Sequence, residues 1–524
     1  MDRVAVADAE VLIVGGGPVG LTARALLERW GVRTLLVERH RELSPFPRSR
    51  LVNVRSMEIY RRLGLAETIA AAAFPPEYGR VRFRDTLYDR DFDTVAMVGI
   101  NAPVPESPVI GVVTSQDRLE PRLLAAAEAP LRFGVELIDL AEEAEGVVAV
   151  LFDHQHGAQR RVRARYVLAA DGATSTVRRL LGIGTTGLGA MGSFTTVVFD
   201  MDDGGWRAQQ PAGLYFTARG TFAPLYPEGG WAWFVATPED VMHADWPELL
   251  AHALGPRGDR RIEVSRVQHW VMNACVAERF RQGRILLAGD AAHAVPIFGG
   301  LGMNAGLADV HNLCWKLAGL LQGWAGPRLL ESYERERLPV ARQTLDQTVA
   351  NTRLMLRVQQ RRREQHQAGE ADGGRIELPW SERFFAQLGL VLGAAYRSGA
   401  VLTDDGTPAE SPPATTRYVP TAEPGHRMPH RWLAPGRSTL DTFGEWFTLL
   451  TPDPAGWARG RTAGPWRLRV EPLPGDHAEA CGLSPSGALL VRPDGHIGAR
   501  WLERPADGTA LRRSLAAITG AEPF

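Results

Sequence analysis

The chain has 524 residues, of which 45% are hydrophobic and 23% are charged, and its formal net charge is -1. This length accommodates two or three domains with a large core. A nearly neutral chain has no global field that would recruit nucleic acid or an anionic membrane. The three cysteines are widely separated, without a CxxC pair or metal-like spacing, which indicates a reducing, cytoplasmic compartment and no zinc site. The chain shows no signal segment and no apolar run long enough to span a bilayer.

A dinucleotide-binding pattern occupies the beginning of the chain. The apolar run at residues 10–14 predicts a strand, and GGGPVG at residues 15–20 and a helical pattern follow it. The next predicted strand, residues 33–37, ends at Glu38, which stands about 20 residues beyond the glycines, as this fold requires. In the fold, the three glycines make the tight turn, admit a pyrophosphate and let helix and strand pack. Glu38 would bind ribose hydroxyls and repel a 2′-phosphate, so the pattern predicts FAD or NAD rather than NADP.

Three further segments carry candidate ligand contacts. Residues 48–64 predict a loop and a basic helix, in which Arg48 either contacts a pyrophosphate or is a solvated surface charge. Gln116 opens another helical segment and either contacts the ligand or only caps the helix. The buried strand predicted at residues 166–170 ends at Asp171.

The glycine-rich stretch at residues 182–192 twice repeats the GxGxxG spacing. It follows a helix-like segment rather than a strand, and no helical pattern opens after it. Because such residues cluster in loops, we expect a flexible crossing between domains. The chain is therefore predicted to contain one dinucleotide-binding fold.

Residues 185–275 have strand-like patterns and predict an antiparallel sheet with one apolar face. Tyr215, Tyr226, Trp231 and Trp233 are candidates to contact a flat aromatic substrate. Ordinary core packing is the alternative for each of them. No carboxylate or histidine in this region has the position of a base.

A third candidate binding segment begins where the apolar strand predicted at residues 284–288 meets Gly289 and Asp290. Glycines lead from there to a helix that is expected to start near Asn304, with Asn304 as its N-cap. A helix start suits a ligand that becomes anionic, and Asp290 could accept hydrogen bonds from a polyol. A turn followed by a core helix is the alternative.

The remainder of the chain predicts a long charged helix and a further domain. The helix covers residues 331–367, with a kink expected at Pro339. Residues 403–420 are rich in Pro, Thr and Asp and predict a linker. The domain that follows contains a single cysteine, Cys481, so it would have no dithiol chemistry.

Three ordered segments of this chain resemble the fingerprints of the FAD-dependent aromatic hydroxylases. They are GGGPVG with Glu38, ADGATSTVR at residues 170–178, and GDAAH at residues 289–293. These hydroxylases are single-component flavoprotein monooxygenases with the para-hydroxybenzoate hydroxylase fold. The later segments PGHRMPHRWL, RSTLDTFGEWFTLL and LLVRPDGHIGARW resemble bacterial aromatic-polyketide and phenol hydroxylases, in which a thioredoxin-like domain follows the catalytic part.

The resemblance implies an α/β protein with a Rossmann-like FAD-binding domain, an antiparallel-sheet substrate domain and a C-terminal thioredoxin-like domain. The expected boundaries are 1–184 and 276–402 for the FAD-binding domain, 185–275 for the substrate domain and 403–524 for the last domain. The implied cofactor-binding residues are Gly15, Gly17, Pro18, Val19, Gly20, Glu38, Arg39, Arg48, Gln116, Asp171, Asp290, Pro296, Gly300, Gly302, Met303 and Asn304. Phe298 joins the four aromatic residues above as a substrate candidate, and no catalytic residue is assigned.

One feature departs from the family pattern. Many relatives have Pro-Pro after GDAAH, whereas this chain has Pro296-Ile297-Phe298. That loop borders the flavin in the family, so the shape of the pocket is in question.

The activity that the resemblance implies is hydroxylation of a phenolic, polycyclic polyketide substrate. NADPH or NADH would reduce FAD and leave, O2 would add at flavin C4a, and the hydroperoxide would deliver the hydroxyl group. Epoxidation, Baeyer–Villiger insertion and small-phenol catabolism are alternatives with the same fingerprints, and a non-catalytic flavin-binding protein is a more distant one. The sequence leaves open the substrate, the choice of nicotinamide and whether the chain forms a homodimer.

Overall fold

The computed structural model describes residues 8–255, 261–369, 387–403, 417–459 and 464–521. Its helices are α1 (Pro18–Arg29), α2 (Val54–Arg62), α3 (Ala66–Ala71), α4 (Gln116–Ala125), α5 (Thr176–Leu180), α6 (Trp206–Gln209), α7 (Trp246–Leu254), α8 (Gly302–Leu321), α9 (Arg328–Gln367), α10 (Leu388–Leu392), α11 (Pro454–Arg459), α12 (Gly475–Ala480) and α13 (Ala510–Thr519). Short 3₁₀ turns occupy Pro76–Tyr78, Val241–His243, Gly289–Ala291 and Thr439–Thr442. Within these ranges, no helix is both long and apolar enough to cross a membrane.

Within the described residues, the strands form two large sheets and three small ones. They are β1 (Ala9–Val14), β2 (Thr34–Glu38), β3 (Leu51–Val52), β4 (Arg80–Phe83), β5 (Asp93–Ala96), β6 (Val112–Val113), β7 (Leu131–Phe133), β8 (Val135–Glu143), β9 (Gly146–Asp153), β10 (Ala158–Ala169), β11 (Thr185–Met201), β12 (Leu214–Thr217), β13 (Gly220–Pro224), β14 (Trp231–Ala236), β15 (Ile262–Ala277), β16 (Arg281–Gln282), β17 (Ile285–Leu287), β18 (His293–Ala294), β19 (Trp432–Ala434), β20 (Arg437–Ser438), β21 (Phe447–Thr451), β22 (Leu468–Pro472), β23 (Ala488–Val491) and β24 (Ile497–Trp501).

The first large sheet has a parallel centre in the order β17-β10-β1-β2-β7, extended by β16 and by the β8–β9 pair. Its central strands are apolar and buried. Helix α1 packs against β1 and β2, and α8 packs against α1. Parallel strands place their carboxyl ends at one edge of a sheet, and ligands bind at that edge in open α/β folds. The three glycine- and acid-rich segments follow β1, β10 and β17, so this sheet brings them together.

The second large sheet runs β18-β15-β11-β14-β13-β12-β4-β5 and is antiparallel apart from the β12–β4 pair. It corresponds to the predicted sheet at residues 185–275 but also takes β4 and β5 from the N-terminal part of the chain, which the expected boundaries did not include. Sequence patterns within one segment could not show that distant strands complete the sheet.

The expectation of a flexible crossing at residues 182–192 is wrong. Most of this stretch is the first part of β11, which pairs with β15. Gly187, Gly189 and Gly192 have positive φ angles, and register shifts occur between the first two and just before the third. The glycines therefore form β-bulges in a long strand rather than a loop.

The long helix predicted at residues 331–367 is confirmed as α9, which begins slightly earlier and continues through Pro339. The predicted linker lies mostly outside the described residues. Beyond it, β21, α11, parallel β22, α12, antiparallel β23 and β24, and α13 form a four-stranded sheet with helices. This βαβ–ββα arrangement is thioredoxin-like, as expected, and its Cys481 is a free thiol.

A buried network of charges anchors this C-terminal domain to α8 and α9. Arg492 and Asp494 lie between β23 and β24, and Arg492 pairs with Glu336 at 2.7 Å and with Asp494 at 2.5 Å. Glu336 also pairs with Lys316 at 2.7 Å. All four side chains are at most 1% exposed. Because the charges are balanced and each has a partner, the network fixes the domain against the helices.

Candidate flavin site

The glycine turn after β1 has the geometry of a phosphate-binding loop. Gly15 has a φ angle of 108°, and a Cβ there would lie 2.2 Å from the Ala170 carbonyl oxygen. A Cβ at Gly20 would lie 2.0 Å from the Gly15 carbonyl oxygen. At Gly17, by contrast, a Cβ would meet nothing within 4 Å. Gly17 is the N-cap of α1 and Pro18 is its first residue, so free N–H groups of the helix face open space where a pyrophosphate fits.

Glu38 lies beside this turn at the carboxyl end of β2. Its Oε2 accepts a hydrogen bond from the Gly16 backbone at 2.6 Å, and its Oε1 accepts one from the His40 backbone at 2.9 Å. Arg39 is exposed. The carboxylate is therefore fixed beside the glycine turn, and its contact with an adenosine ribose stays a prediction.

Arg48, Gln116 and Asp290 come together from three distant parts of the chain. The Gln116 Oε1 accepts a hydrogen bond from the Ser49 backbone at 3.3 Å, which ties α4 to the loop that carries Arg48. Asp290 lies on the 3₁₀ turn after β17, exposed to solvent but surrounded by protein. Although this side chain reaches solvent, the protein around it removes part of its hydration and raises the pKa of Asp290, while the charges of His293 and Arg48 oppose that rise. A carboxylate lining a cleft in this way can bind a polyol.

Asp171 stabilises the second segment through hydrogen bonds to other residues of that segment. Its carboxylate accepts hydrogen bonds from Ser175 Oγ at 2.6 Å and from the Val177 backbone at 3.0 Å. Arg178, in α5, donates to the Ala291 carbonyl oxygen at 2.8 Å. The second segment therefore holds the third one in position.

Asn304 is not the N-cap of α8, contrary to the expectation. The helix begins at Gly302 with Leu301 as its N-cap. The Asn304 side chain instead accepts from the Asn53 backbone at 2.9 Å and from Ser56 Oγ at 2.7 Å. The Asn304 side chain is therefore bound to residues at the start of α2 and does not cap α8. The first N–H groups of α8, at residues 302–304, have no intrahelical acceptor. That leaves them available to a ligand that gains negative charge.

The remaining implied loop residues surround these groups. Pro296 is buried, and Met303 is half-buried in the first turn of α8. Gly300 has a φ angle of 64°, and a Cβ there would meet Leu51 at 2.7 Å. Val19 lies against the third segment, since a Cβ at Gly289 would meet it at 3.0 Å.

A buried ionic cluster that sequence patterns did not reveal supports this segment. The Asp309 carboxylate accepts from the Gly289 backbone at 3.0 Å and from Arg337 Nε at 2.7 Å, and it lies 2.7 Å from His293 Nε2. Arg337 also donates to the Ala305 carbonyl oxygen at 3.2 Å. The sequence signal for this cluster was Asp309, an acid on the buried face of α8, because a buried carboxylate requires partners.

The predicted aromatic substrate residues lie on the second large sheet, and strand register shows which way they face. Tyr215 pairs with Phe222, and Phe222 pairs with Trp233. Directly paired residues share a face, and here that face belongs to a buried core with Trp206 and Trp231. Tyr215, Trp231 and Trp233 are thus core residues, which is the alternative that the sequence left open. Whether any of them also contacts substrate stays a prediction.

The opposite face of the sheet is turned towards the third segment. Phe216 lies there with its ring 6.1 Å from that of Phe298, and register places Phe234 and Trp270 on the same face. Both of these rings are partly exposed, whereas Phe216 is buried and stacks on Phe83. Sequence analysis named Phe298 but missed the other three, because their face depends on strand pairing.

Tyr226 lies apart from that face, at the turn after β13. Its hydroxyl donates to Asp117 Oδ2 at 2.5 Å, and Arg118 lies 4.3 Å over its ring. Burial raises the pKa of Tyr226 to about 12. The residue joins the substrate sheet to α4, and its contact with substrate stays a prediction.

The site therefore combines a pyrophosphate turn, carboxylates for a ribose and a polyol, a basic loop and a helix start opposite an aromatic sheet. These are the kinds of group that a flavin dinucleotide requires. Family models agree: residues 8–348 match the FAD binding domain, and residues 421–522 match the aromatic-ring hydroxylase C-terminal domain.

Individual relatives span nearly the whole chain. Aklavinone 12-hydroxylase DnrF of Streptomyces peucetius is 34% identical, over 88% of this chain and 95% of its own length. The 4-methyl-5-nitrocatechol 5-monooxygenase of a Burkholderia species is 35% identical, over 97% of each chain. The crystal structure of the flavin-dependent monooxygenase PieE with FAD and substrate superposes with a TM-score of 0.88 at 32% identity, covering 98% of this chain and 100% of PieE. The protein belongs to the FAD-dependent aromatic-ring hydroxylases, which are monooxygenases.

Proposed function

We propose that this enzyme hydroxylates a phenolic ring of a polycyclic substrate, with NADPH or NADH as the reductant and O2 as the oxygen source. The observation that carries the proposal is the face of Phe216, Phe234 and Trp270 opposite the loop of Phe298. Aromatic faces of this kind bind flat rings by stacking and edge contacts. Trp270 Nε1 donates to Thr196 Oγ1 at 3.0 Å, which holds its ring in one orientation.

The residues of the chain support this reaction by positioning and shielding. Bound FAD supplies the redox and oxygen chemistry. The start of α8 offers N–H groups that stabilise negative charge without reorganisation. We infer that the aromatic rings of this sheet face keep water from the reacting atoms, which protects a reactive centre from side reactions. An exposed Ile297 and a half-buried Phe298 occupy the loop where many relatives have prolines, and we infer that they shape the upper side of the pocket.

The size of the substrate separates two candidates. The similarity to aklavinone 12-hydroxylase supports a polycyclic substrate, whereas the similarity to a nitrocatechol monooxygenase supports a single ring. We favour the polycyclic substrate because Phe234 and Trp270 are partly exposed on two different strands of one face, a wider platform than one ring needs.

Steady-state oxidation of NADPH and of NADH by the purified yellow protein tests the proposal. The assay compares simple phenols with polycyclic phenols and quinones, and product is measured alongside. We expect strong stimulation and one oxygenated product with a polycyclic compound. Stimulation restricted to simple phenols would favour the second candidate, and oxidation without product would identify only a substrate mimic.

Compartment and assembly remain part of the proposal. Three free cysteines support a reducing cytoplasm as the place of action. We infer a homodimer as the form to test first, by light scattering of the holoenzyme. A molecular mass near one chain would reject the dimer.

A further inference from the structure

One row of side chains crosses five strands of the second large sheet. Register pairs Phe216 of β12 with Thr221, and it pairs Thr221 with Phe234. Phe234 pairs in turn with Thr196, and Thr196 pairs with Gln268 of β15. Directly paired residues share a face, so aromatic rings alternate with hydroxyl groups over four strands and the Gln268 carboxamide follows on the fifth. We call these five residues the cross-strand row.

The cross-strand row lies between two loops that border the flavin site. At one end, the Phe216 ring lies 6.1 Å from the ring of Phe298, in the loop after the third segment. At the other end, Arg266 stands two residues before Gln268 and therefore on the same face. Arg266 donates to the Pro45 carbonyl oxygen at 2.5 Å, in the loop after β2. A flat ligand on this row is thus placed beside the cofactor.

Two neighbouring hydrogen-bond donors stand at the β15 end of the row. Thr196 Oγ1 accepts from Trp270 Nε1 at 3.0 Å, so its own proton remains to be donated. The half-buried Gln268 side chain carries two N–H donors. In the part of the chain that the structure describes, no residue accepts the Thr196 proton or bonds to the Gln268 carboxamide. Cross-strand neighbours have Cβ atoms about 5 Å apart, so both donors can reach one acceptor atom.

We propose that Gln268 is a specificity-determining residue that donates, together with Thr196, to a ring carbonyl oxygen of a flat polycyclic substrate. A carbonyl oxygen has two lone pairs and can accept both hydrogen bonds. The partly exposed rings of Phe234 and Trp270 flank these donors and can stack on the substrate. The inference rests on the proposed function and narrows its substrates to polycycles that carry such a carbonyl group.

Binding to the oxidised holoenzyme tests this inference without any turnover. A hydroxyanthraquinone and the matching hydroxyanthracene, which lacks the carbonyl groups, are titrated separately, and the change in flavin absorbance gives each Kd. We expect the unmodified protein to bind the anthraquinone at least about tenfold more tightly, because the hydroxyanthracene leaves covered donors without an acceptor. Gln268→Leu and Gln268→Glu should both lose most of this preference, since neither side chain offers an N–H donor.

His269→Gln is the matched control. His269 is the next residue of β15 and lies on the opposite face, where its Nδ1 is 2.9 Å from Thr195 Oγ1. This variant should keep the preference of the unmodified protein. Equal affinity of the unmodified protein for the two compounds would overturn the inference. A Gln268→Leu protein that keeps the preference, or that binds both compounds more weakly by the same factor, would overturn it as well.

The binding experiment separates this inference from the proposed function. A preference for the anthraquinone that depends on Gln268, without an oxygenated product on addition of NADPH, would reject the proposed hydroxylation and support the recognition of the carbonyl group. An oxygenated product without that preference would reject the recognition alone. Failure of both compounds to change the flavin absorbance would overturn the inference together with the polycyclic substrate.

Discussion

Replacement of Asp309 by asparagine tests how the turn that carries Asp290 is held. The Asp309 carboxylate is fully buried, and it joins the Gly289 backbone, His293 and Arg337. Asparagine keeps the size of the side chain but leaves the buried Arg337 guanidinium without its counter-charge. Removal of one partner of a buried ion pair costs about 3–5 kcal/mol, so we expect the free energy of unfolding of the apoprotein to fall by about that amount.

The same carboxylate gives this prediction a pH signature. Burial alone would raise the pKa of Asp309, but His293 and Arg337 lower it below its ordinary value through charge and hydrogen bonds. A carboxyl with a depressed pKa stabilises the fold above its unfolded pKa, about 3.9, and loses that contribution as the pH falls through its folded value. The Asp309→Asn protein should therefore lose less stability than the unmodified protein between neutral and acidic pH.

Urea denaturation followed by tryptophan fluorescence measures both effects. Asp290→Asn is the control, because the Asp290 side chain faces the cleft. It should lower FAD affinity while changing the apoprotein stability by less than about 0.5 kcal/mol. An Asp309→Asn protein that loses less than about 1 kcal/mol, or that keeps the full acid dependence, would refute the role of this cluster.

Five further substitutions test other parts of the account. Gly17→Ala should leave the apoprotein stable but weaken FAD binding at least about tenfold, or 1.4 kcal/mol. Gly20→Ala should instead destabilise the apoprotein, because its Cβ would clash with the turn. Thermal melting measures the stability of each variant, and flavin absorbance measures its FAD binding. Phe216→Leu should raise KM for the aromatic substrate. Tyr215→Phe should leave KM unchanged but lower the free energy of unfolding by about 1 kcal/mol, because it removes the hydrogen bond from the Tyr215 hydroxyl to a backbone carbonyl. Equal effects of the two variants on KM would contradict the assignment of faces. Arg492→Met should lower the free energy of unfolding by about 3–5 kcal/mol in urea, because it leaves buried carboxylates without their partner; no change would show that the C-terminal domain is held by other contacts.

The cofactor fingerprints could be predicted from the sequence because their constraints are local. Gly15 must adopt a positive φ angle and Gly20 must pack against its own turn, so residue type and spacing determine them. Glu38 and Asp290 follow strands that can be recognised in the sequence from their runs of apolar residues. The cofactor-binding edge of the first large sheet was therefore predictable.

The errors arose where distant partners decide the outcome. Asn304 has the chemistry of an N-cap, but Asn53 and Ser56 on α2 bind its side chain instead. Gly187 has the character of a loop residue, yet its pairing with β15 makes it part of a bulged strand.

Long-range pairing also determined what the sequence could not reveal about the substrate side. Tyr215 and Phe216 are aromatic neighbours that must point to opposite faces of their strand, and only strand pairing shows which face each of them joins. Asp309 is a single acid within a helix, and its importance depends on Gly289 and Arg337, which lie elsewhere in the chain.

The most direct test of the central claim is the origin of the oxygen in the product. The purified holoenzyme would be given NADPH, a polycyclic phenol that stimulates its oxidation, and isotopically labelled O2, and the product would be analysed by mass spectrometry. The account predicts one labelled oxygen atom in a new hydroxyl group on the aromatic ring. A product whose new oxygen comes from water, or NADPH oxidation that yields only hydrogen peroxide with every stimulating compound, would contradict it.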